Sequence, residues 1–174
     1  MLGLFKAKNP YVQPARQVYA AVLSHIRQPK FYKDYGVPDT FDGRFDLMLL
    51  HIFMILHRML EDGQVEAEAF NQALFDVTFA DMDQTLREMG IGDMGVPKHQ
   101  RKMMKAFNGR MHAYEAALAQ GTLKDALRKN LYGTLENPDE QQISKMAETV
   151  ERRLKFLKTM QSADILNGHI GFEG

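Results

Sequence analysis

The fold of this chain is decided by its most apolar run, Leu47-Met48-Leu49-Leu50-His51-Ile52-Phe53-Met54-Ile55-Leu56. A helix that spans a membrane needs about 20 apolar residues. This run is about half as long and contains a histidine, so it predicts a buried core helix. Apolar side chains cover both faces of the segment between Phe45 and Leu60. A helix that is apolar all round lies at the centre of a fold.

Helical signals continue on both sides of this central segment. A first helix is expected from about Pro14 to just before Pro29, because the residue that precedes proline avoids the α region. The central helix begins at a cap between Thr40 and Asp42 and ends near Gly63. Caps, prolines and helical spacing predict four further helices, from Val65 to Met89, from Pro97 to Gly121, from a Thr122 capping box to Leu131, and from Asn137-Pro138 onward.

These signals predict an all-α protein, with residues 1–174 forming one single-domain bundle of about six helices. No segment has the period-two alternation of a strand. A long aromatic loop, residues 28–44, joins the first two helices. Phe107 and Leu154 are expected in the core, and residues 167–174 are expected to form a loose tail.

Charge separates along the chain although the formal net charge is zero. Residues 61–97 hold nine acids and one base, whereas residues 98–158 hold thirteen bases and seven acids. A zero net charge does not indicate a DNA-binding protein. Two interpretations of the basic half stay open: an ordinary solvated surface, or a face directed toward ribosomal RNA or anionic lipid.

The sequence offers little support for catalysis. It has no cysteine, which removes disulfides, thiolate nucleophiles and Cys-based metal sites. His51 and His57 are six residues apart, and His99 and His112 are thirteen apart, whereas a helical zinc pair needs i, i+4 spacing. We therefore predict no enzyme, no metal and no cofactor. A haem- or quinone-binding protein is a distant alternative, because histidines of separate helices can still meet.

Asp81 interrupts an apolar stripe of the predicted third helix, where it follows Phe70, Leu74 and Val77. A carboxylate on a core-facing stripe needs a partner. We expect an ion pair with an arginine of another helix, and a catalytic acid is the minority alternative. The candidate members of this structural polar pair are Asp81, Arg87 and Arg110, with Arg44 as a further possible partner. Arg87 can also pair with Asp83 one turn earlier.

The segment 28–45 combines aromatic and basic side chains in one long connection. Long loops are often functional, and tyrosine, phenylalanine and arginine are enriched in interface cores. An alternative is that the aromatic groups only fix the loop to the bundle. The candidate client-binding residues of this segment are Phe31, Tyr32, Tyr35, Asp39, Phe41, Arg44 and Phe45.

The same segment resembles the signature of the ubiquinol–cytochrome c chaperone family in its bacterial form. The resemblance is densest in residues 29–46, PKFYKDYGVPDTFDGRFD, and continues through Leu50-His51 and Leu56-His57-Arg58. Two shorter blocks are similar to the family pattern, and the resemblance as a whole covers roughly residues 11–135. The second block is Phe79, Asp81, Arg87 and Met89-Gly90-Ile91; the third is Lys105, Phe107, Gly109, Arg110 and Tyr114.

This resemblance implies a non-enzymatic chaperone that binds newly made cytochrome b and helps assemble the ubiquinol–cytochrome c reductase (bc1) complex. The implied partners are cytochrome b or another membrane-protein client, with the ribosome or an anionic membrane surface bound through residues 98–158. The expected location is cytoplasmic, with peripheral association at the inner membrane. The alternative is a general helical protein-interaction adaptor with a different client.

Overall fold

The central apolar segment forms the longest buried stretch of the computed structural model, which describes residues 8–173. Over this range the chain forms helices and no strand. The helices are α1 Val12–Ile26, α2 Lys30–Lys33, α3 Phe41–Glu61, α4 Val65–Glu88, α5 Val96–Gln120, α6 Leu123–Asn130, α7 Glu140–Thr159 and α8 Ser162–Leu166.

Helix α3 lies at the centre, as its two apolar faces predicted. It packs against α1, α4, α5 and α7. Every residue from Asp46 to Ile55 is buried. Burial of each large apolar side chain contributes about 1.5–3 kcal/mol. Phe107 and Leu154 are also buried, which confirms both core predictions.

The helix count differs from the prediction of about six by two short elements. Helix α2 lies inside the predicted loop, and α8 lies beyond the last predicted helix. Both are too short to show a hydrophobic period, so a sequence pattern does not reveal them. Within residues 8–173, no helix has the length and hydropathy that crossing a bilayer requires.

The predicted N-terminal caps are confirmed at one helix and wrong at two. The Thr40 hydroxyl accepts a hydrogen bond from the Gly43 N–H at 3.0 Å and starts α3. Thr122 precedes α6 but its side chain makes no capping bond, so the predicted capping box is wrong. Asp139, not Asn137, caps α7, and its carboxylate accepts from the Gln141 N–H at 2.8 Å. The helix begins two residues later than predicted because Pro138 stays outside it.

The C-terminal segment is packed, not loose. Phe172 stacks on His25 of α1, with ring centroids 4.1 Å apart and planes 7° apart. Gly168 is buried beside Gln17. The expectation of a loose tail at 167–174 is therefore wrong for residues 167–173. Only the folded chain supplies the His25 surface on which Phe172 packs.

Replacing Gly43 by alanine is expected to destabilise the protein by about 1–3 kcal/mol, the usual cost of overpacking. A Cβ at this position would lie 2.0 Å from the Pro38 carbonyl oxygen. The matched control is Gly109→Ala in α5, where an added Cβ meets nothing within 4 Å. That change should stabilise its helix by about 0.5–1 kcal/mol. Urea unfolding measures the free energy of unfolding of both variants. Equal changes in that free energy at the two sites would contradict the packing argument.

Candidate binding groove

A concavity lies where α1, α2, α3 and α4 meet. It has a volume of about 490 Å³. Five of the seven candidate client-binding residues line it, namely Tyr32, Asp39, Phe41, Arg44 and Phe45. The short helix α2 and the start of α3 bring these side chains together. The sequence segment singled out by its aromatic and basic content thus forms one wall of a groove.

Three of these side chains form a connected rim. The Arg44 guanidinium pairs with the Asp39 carboxylate at 2.7 Å and lies 5.7 Å from the centre of the Tyr32 ring. The Tyr32 hydroxyl donates to the Ile26 carbonyl oxygen at 2.8 Å. Burial raises the pKa of Tyr32, so it stays a neutral donor. Tyr32 therefore presents an oriented ring, with Arg44 exposed beside it.

Phe31 and Tyr35 face the core and do not reach the groove. Phe31 is buried, and its ring lies 5.7 Å from that of Tyr35. The Tyr35 hydroxyl and Thr149 Oγ1 of α7 are 3.1 Å apart, and the Tyr132 hydroxyl donates to the Tyr35 carbonyl oxygen at 2.7 Å. In this structure they fix the loop to the bundle and do not line the groove, so their role in client contact stays a prediction.

The floor of the groove consists of apolar residues that the sequence analysis did not select. Leu23 and Ile26 come from α1, Met48 comes from α3, and Met82 comes from α4. Two of the four are methionines, whose flexible thioethers fit varied apolar partners. The sequence did contain a signal for the floor: α3 is apolar on two faces, and Met48 lies on one of them.

Asp81 borders this floor and has a partner other than the one predicted. Its carboxylate accepts a hydrogen bond from the buried Tyr19 hydroxyl at 2.7 Å, and the side chain is half-buried. Among the described residues, Asp81 has no cation within 4 Å. The predicted ion pair of Asp81 with an arginine is wrong, because the neighbour that contacts this carboxylate is the Tyr19 hydroxyl of α1.

The two arginines named with Asp81 pair elsewhere. Arg87 binds Asp83 at 2.8 Å on the surface, as the i, i+4 spacing predicted, and also contacts Asp93. Arg110 of α5 pairs with Asp46 of α3 at 2.8 Å. Burial raises the pKa of Asp46 to about 6, although Arg110 opposes that shift. The buried ion pair thus exists, but its acid belongs to α3.

Replacing Asp81 by alanine is expected to lower the free energy of unfolding by about 1.5–2 kcal/mol, the lower part of the range for a hydrogen bond to a charged group. The loss is moderate because the Tyr19 hydroxyl also lies 3.3 Å from Met48 Sδ. The control Asp83→Ala removes an exposed ion pair and should cost less than about 1 kcal/mol. Guanidinium unfolding compares them. A loss of about 3–5 kcal/mol at Asp81 would indicate a buried cationic partner after all.

The histidines occupy structural positions. His51 is buried, with Nδ1 2.8 Å from the Leu47 carbonyl oxygen and Nε2 in contact with Arg153. His57 lies 2.8 Å from Glu115. In the described part of the chain no three His, Asp or Glu side chains converge as a metal site would require.

The groove can bind an apolar segment through its floor and polar groups through its rim.

Comparison with known proteins places this architecture in a family. A family model described as "Ubiquinol-cytochrome C chaperone" matches residues 33–172. The match extends well past residue 135, where the recognisable motifs end. The apolar stripes of α7 tolerate exchange among similar side chains, so they carry no motif.

Curated relatives are similar over most of the chain. "Ubiquinol-cytochrome-c reductase complex assembly factor 1" of Xenopus laevis is 24% identical over 154 residues, which are 87% of this chain and 76% of that protein. "Protein CBP3, mitochondrial" of Saccharomyces cerevisiae is 27% identical over 149 residues, 82% of this chain and 44% of that protein. The chain spans about half the length of the mouse and human relatives, 52% and 51%.

A solved structure shares the fold. The Cbp3 homolog from Brucella abortus superposes with a TM-score of 0.81 at 34% sequence identity, covering 94% of this chain and 91% of that one. The family match spans α3 to α8 and therefore includes the start of α3, which forms part of the groove. On the strength of these matches, the chain belongs to the ubiquinol–cytochrome c chaperone family.

Proposed function

We propose that this chain is a non-enzymatic chaperone for assembly of the ubiquinol–cytochrome c reductase (bc1) complex, and that its client is newly made cytochrome b. The observation that carries the proposal is the groove between α1, α2, α3 and α4. Its rim is built from the segment in which the family resemblance is densest. The relatives named above are described as assembly factors of the same complex, which supports this choice of client.

The groove has the composition expected for transient binding of an apolar segment. Methionines on the floor can repack around different side chains. Tyr32 and Arg44 on the rim are residue types that dominate interface energies. The groove walls belong to helices anchored in the core, so little ordering accompanies binding. No chemical step is needed for this role.

The test is to replace Tyr32 and Arg44 singly by alanine in a strain that makes the bc1 complex. If each is a hot spot, cytochrome b should bind about 30-fold more weakly, equivalent to about 2 kcal/mol. The melting temperature of Arg44→Ala should stay close to the wild-type value, because that side chain is exposed. Tyr32→Ala should lower it, though less than Tyr35→Ala does, because Tyr32 is only partly buried and donates one hydrogen bond to Ile26. Co-purification of cytochrome b and recovery of assembled complex are the readouts.

Tyr35→Ala is the matched control for a packing effect. Tyr35 lies in the same loop but is buried, so its loss should lower the melting temperature. Normal cytochrome b recovery with Tyr32→Ala and Arg44→Ala would remove the groove from the proposal. Co-purification of a different membrane protein would replace cytochrome b as the client.

The proposal also includes the place of action. We infer a cytoplasmic protein that meets its client at the inner membrane or at the ribosome, through the basic residues 98–158. The long, acid-free first part of α5 supports a role for this half in binding an anionic partner. The choice between lipid and ribosomal RNA depends on which side chains lie beside the exposed cations of α5.

A further inference from the structure

Helix α5 presents an exposed basic face that the groove does not use. Lys98, Arg101, Lys102 and Lys105 recur at helical spacing, and all four are exposed. The opposite face, with Val96, Met103 and Phe107, is buried against the bundle. In the described chain, none of the four cations has a carboxylate within 4 Å, in contrast with Arg87 or Arg128. They form a row of cations with no internal partner.

The first of these cations, Lys98, lies in the first turn of α5, the unfavourable end of a helix for a base. A helix N-terminus carries partial positive charge, which favours acids and disfavours bases. Helices α3, α4, α6 and α7 each place an acid in the first turn. Helix α5 has none there, and its first acid is Glu115. The first half of α5 therefore carries four exposed cations and no acid of its own to neutralise them, which indicates an anionic partner.

Apolar side chains stand exposed next to the cations. Met94, in the turn before α5, is 97% exposed, and Met89, at the end of α4, is 56% exposed. Met104, on the flank of the basic face, is 38% exposed. Exposed flexible apolar groups beside lysines are the arrangement of an element that lies in a lipid interface. Cations then meet the headgroups while the methionines enter the acyl boundary.

A recess beside this face offers room for a headgroup. It lies between α5 and α6, has a volume of about 440 Å³, and is lined by Lys102, Lys105, Gly109 and Lys129. The absence of a side chain at Gly109 leaves space there, since a Cβ would meet nothing within 4 Å. Single-stranded RNA is held by aromatic stacking, and this face has methionines where aromatic rings would be required.

We propose that the face formed by Lys98, Arg101, Lys102, Lys105 and Met94 docks the protein on an anionic phospholipid bilayer. This deepens the proposed place of action and is independent of client binding in the groove. The groove lies between α1, α2, α3 and α4, so a docked molecule can hold a client while α5 rests on the membrane.

The test uses the purified full chain and flotation with lipid vesicles. Binding is expected to vesicles of phosphatidylcholine mixed with phosphatidylglycerol, and not to phosphatidylcholine alone. Each cation near an anionic surface is worth about a five-fold change in affinity. The triple variant K98E/K102E/K105E should therefore lose more than about 100-fold. Its melting temperature should hold, because all three side chains are exposed and the change at Lys98 places an acid in the first turn of α5.

Two controls separate this surface from general charge effects. The variant R16E/K124E/K155E changes the net charge equally at exposed positions of α1, α6 and α7, and should bind vesicles much more tightly than the first triple variant. Met94→Ser keeps all charges and should weaken vesicle binding several-fold, because the apolar side chain no longer inserts. Tyr32→Ala should bind vesicles like the wild type, whatever its effect on the client.

Three outcomes would overturn the proposal. The first is that the protein does not bind anionic vesicles. The second is that the two triple variants lose equal affinity for these vesicles. The third is that the protein binds a ribosomal RNA fragment more tightly than the vesicles, with an RNA affinity that Met94→Ser leaves unchanged. The last result would assign the face to RNA. None of these outcomes bears on the groove, which the cytochrome b experiment tests separately.

Discussion

Replacing Arg58 by alanine is expected to lower the free energy of unfolding by about 3–5 kcal/mol, the range for removing one member of a buried ion pair. Arg58 of α3 is buried, and its guanidinium binds Asp62 at 2.6 Å. Nε donates to the Leu157 carbonyl oxygen, and one terminal nitrogen donates to the Met160 carbonyl oxygen, each at 3.0 Å. One side chain thus joins the central helix to the end of α7.

Arg87→Ala is the matched control. Arg87 also pairs with an aspartate at i, i+4 spacing, but its side chain is 48% exposed against 9% for Arg58. An exposed pair is worth about 0–1 kcal/mol. Denaturant titration of both variants should separate them clearly. If Arg58→Ala lowers the free energy of unfolding by no more than Arg87→Ala does, water molecules replace Arg58 as the donors to the Leu157 and Met160 carbonyl oxygens.

Lowering the pH from 7 to 5 is expected to destabilise the protein by a net amount of about 3 kcal/mol. Burial lowers the pKa of His25 to about 3 and holds the pKa of His51 well below its ordinary value of 6.5. Both stay neutral in the folded chain, whereas both take up protons in the unfolded chain below pH 6.5. Each therefore removes about 2 kcal/mol by pH 5.

Neighbouring charges set the size and sign of this effect. Arg153 and Lys30 disfavour protonation of both histidines, which strengthens the loss. Asp46 acts in the opposite direction, because its pKa is raised to about 6 and its protonation on acidification returns about 1 kcal/mol. Stability is thus highest above the unfolded histidine pKa and falls as the pH drops through it.

Urea unfolding at pH 7, 6 and 5 measures this dependence. His51→Gln should flatten the profile by about two thirds, whatever its effect on stability at pH 7, because only the difference between pH values depends on the titrating group. The control His112→Gln changes an exposed histidine of α5 and should leave the slope unchanged. A wild-type profile that is flat between pH 7 and 5 would falsify the assignment of neutral buried histidines.

Much of the fold could be predicted because helix formation is governed by local patterns. The apolar run at 47–56 predicted the central helix, and Thr40 predicted where that helix starts. The two short helices, the cap at Asp139 and the packed tail could not be predicted. Each depends on a contact that forms only when distant segments meet, as Phe172 does with His25.

The candidate site was predictable in position and only partly in membership. Segment 28–45 was selected for its aromatic and basic content, and it does border the groove. The sequence alone does not tell Tyr32 from Tyr35, because both are tyrosines in one irregular connection. Their environments differ since Thr149 and Tyr132 cover Tyr35, whereas the Tyr32 ring lies under the exposed Arg44.

By itself, the sequence determined the helical class, the central place of α3, the family and the segment that forms the rim. Those properties follow from periodicity, composition and motif, which are encoded over short stretches. The tertiary structure alone decided that Asp81 meets Tyr19, that Arg110 meets Asp46, and that the basic face of α5 stays uncovered. Such pairings depend on which helices pack together, because residues 60 or more positions apart become neighbours only when the bundle closes around α3.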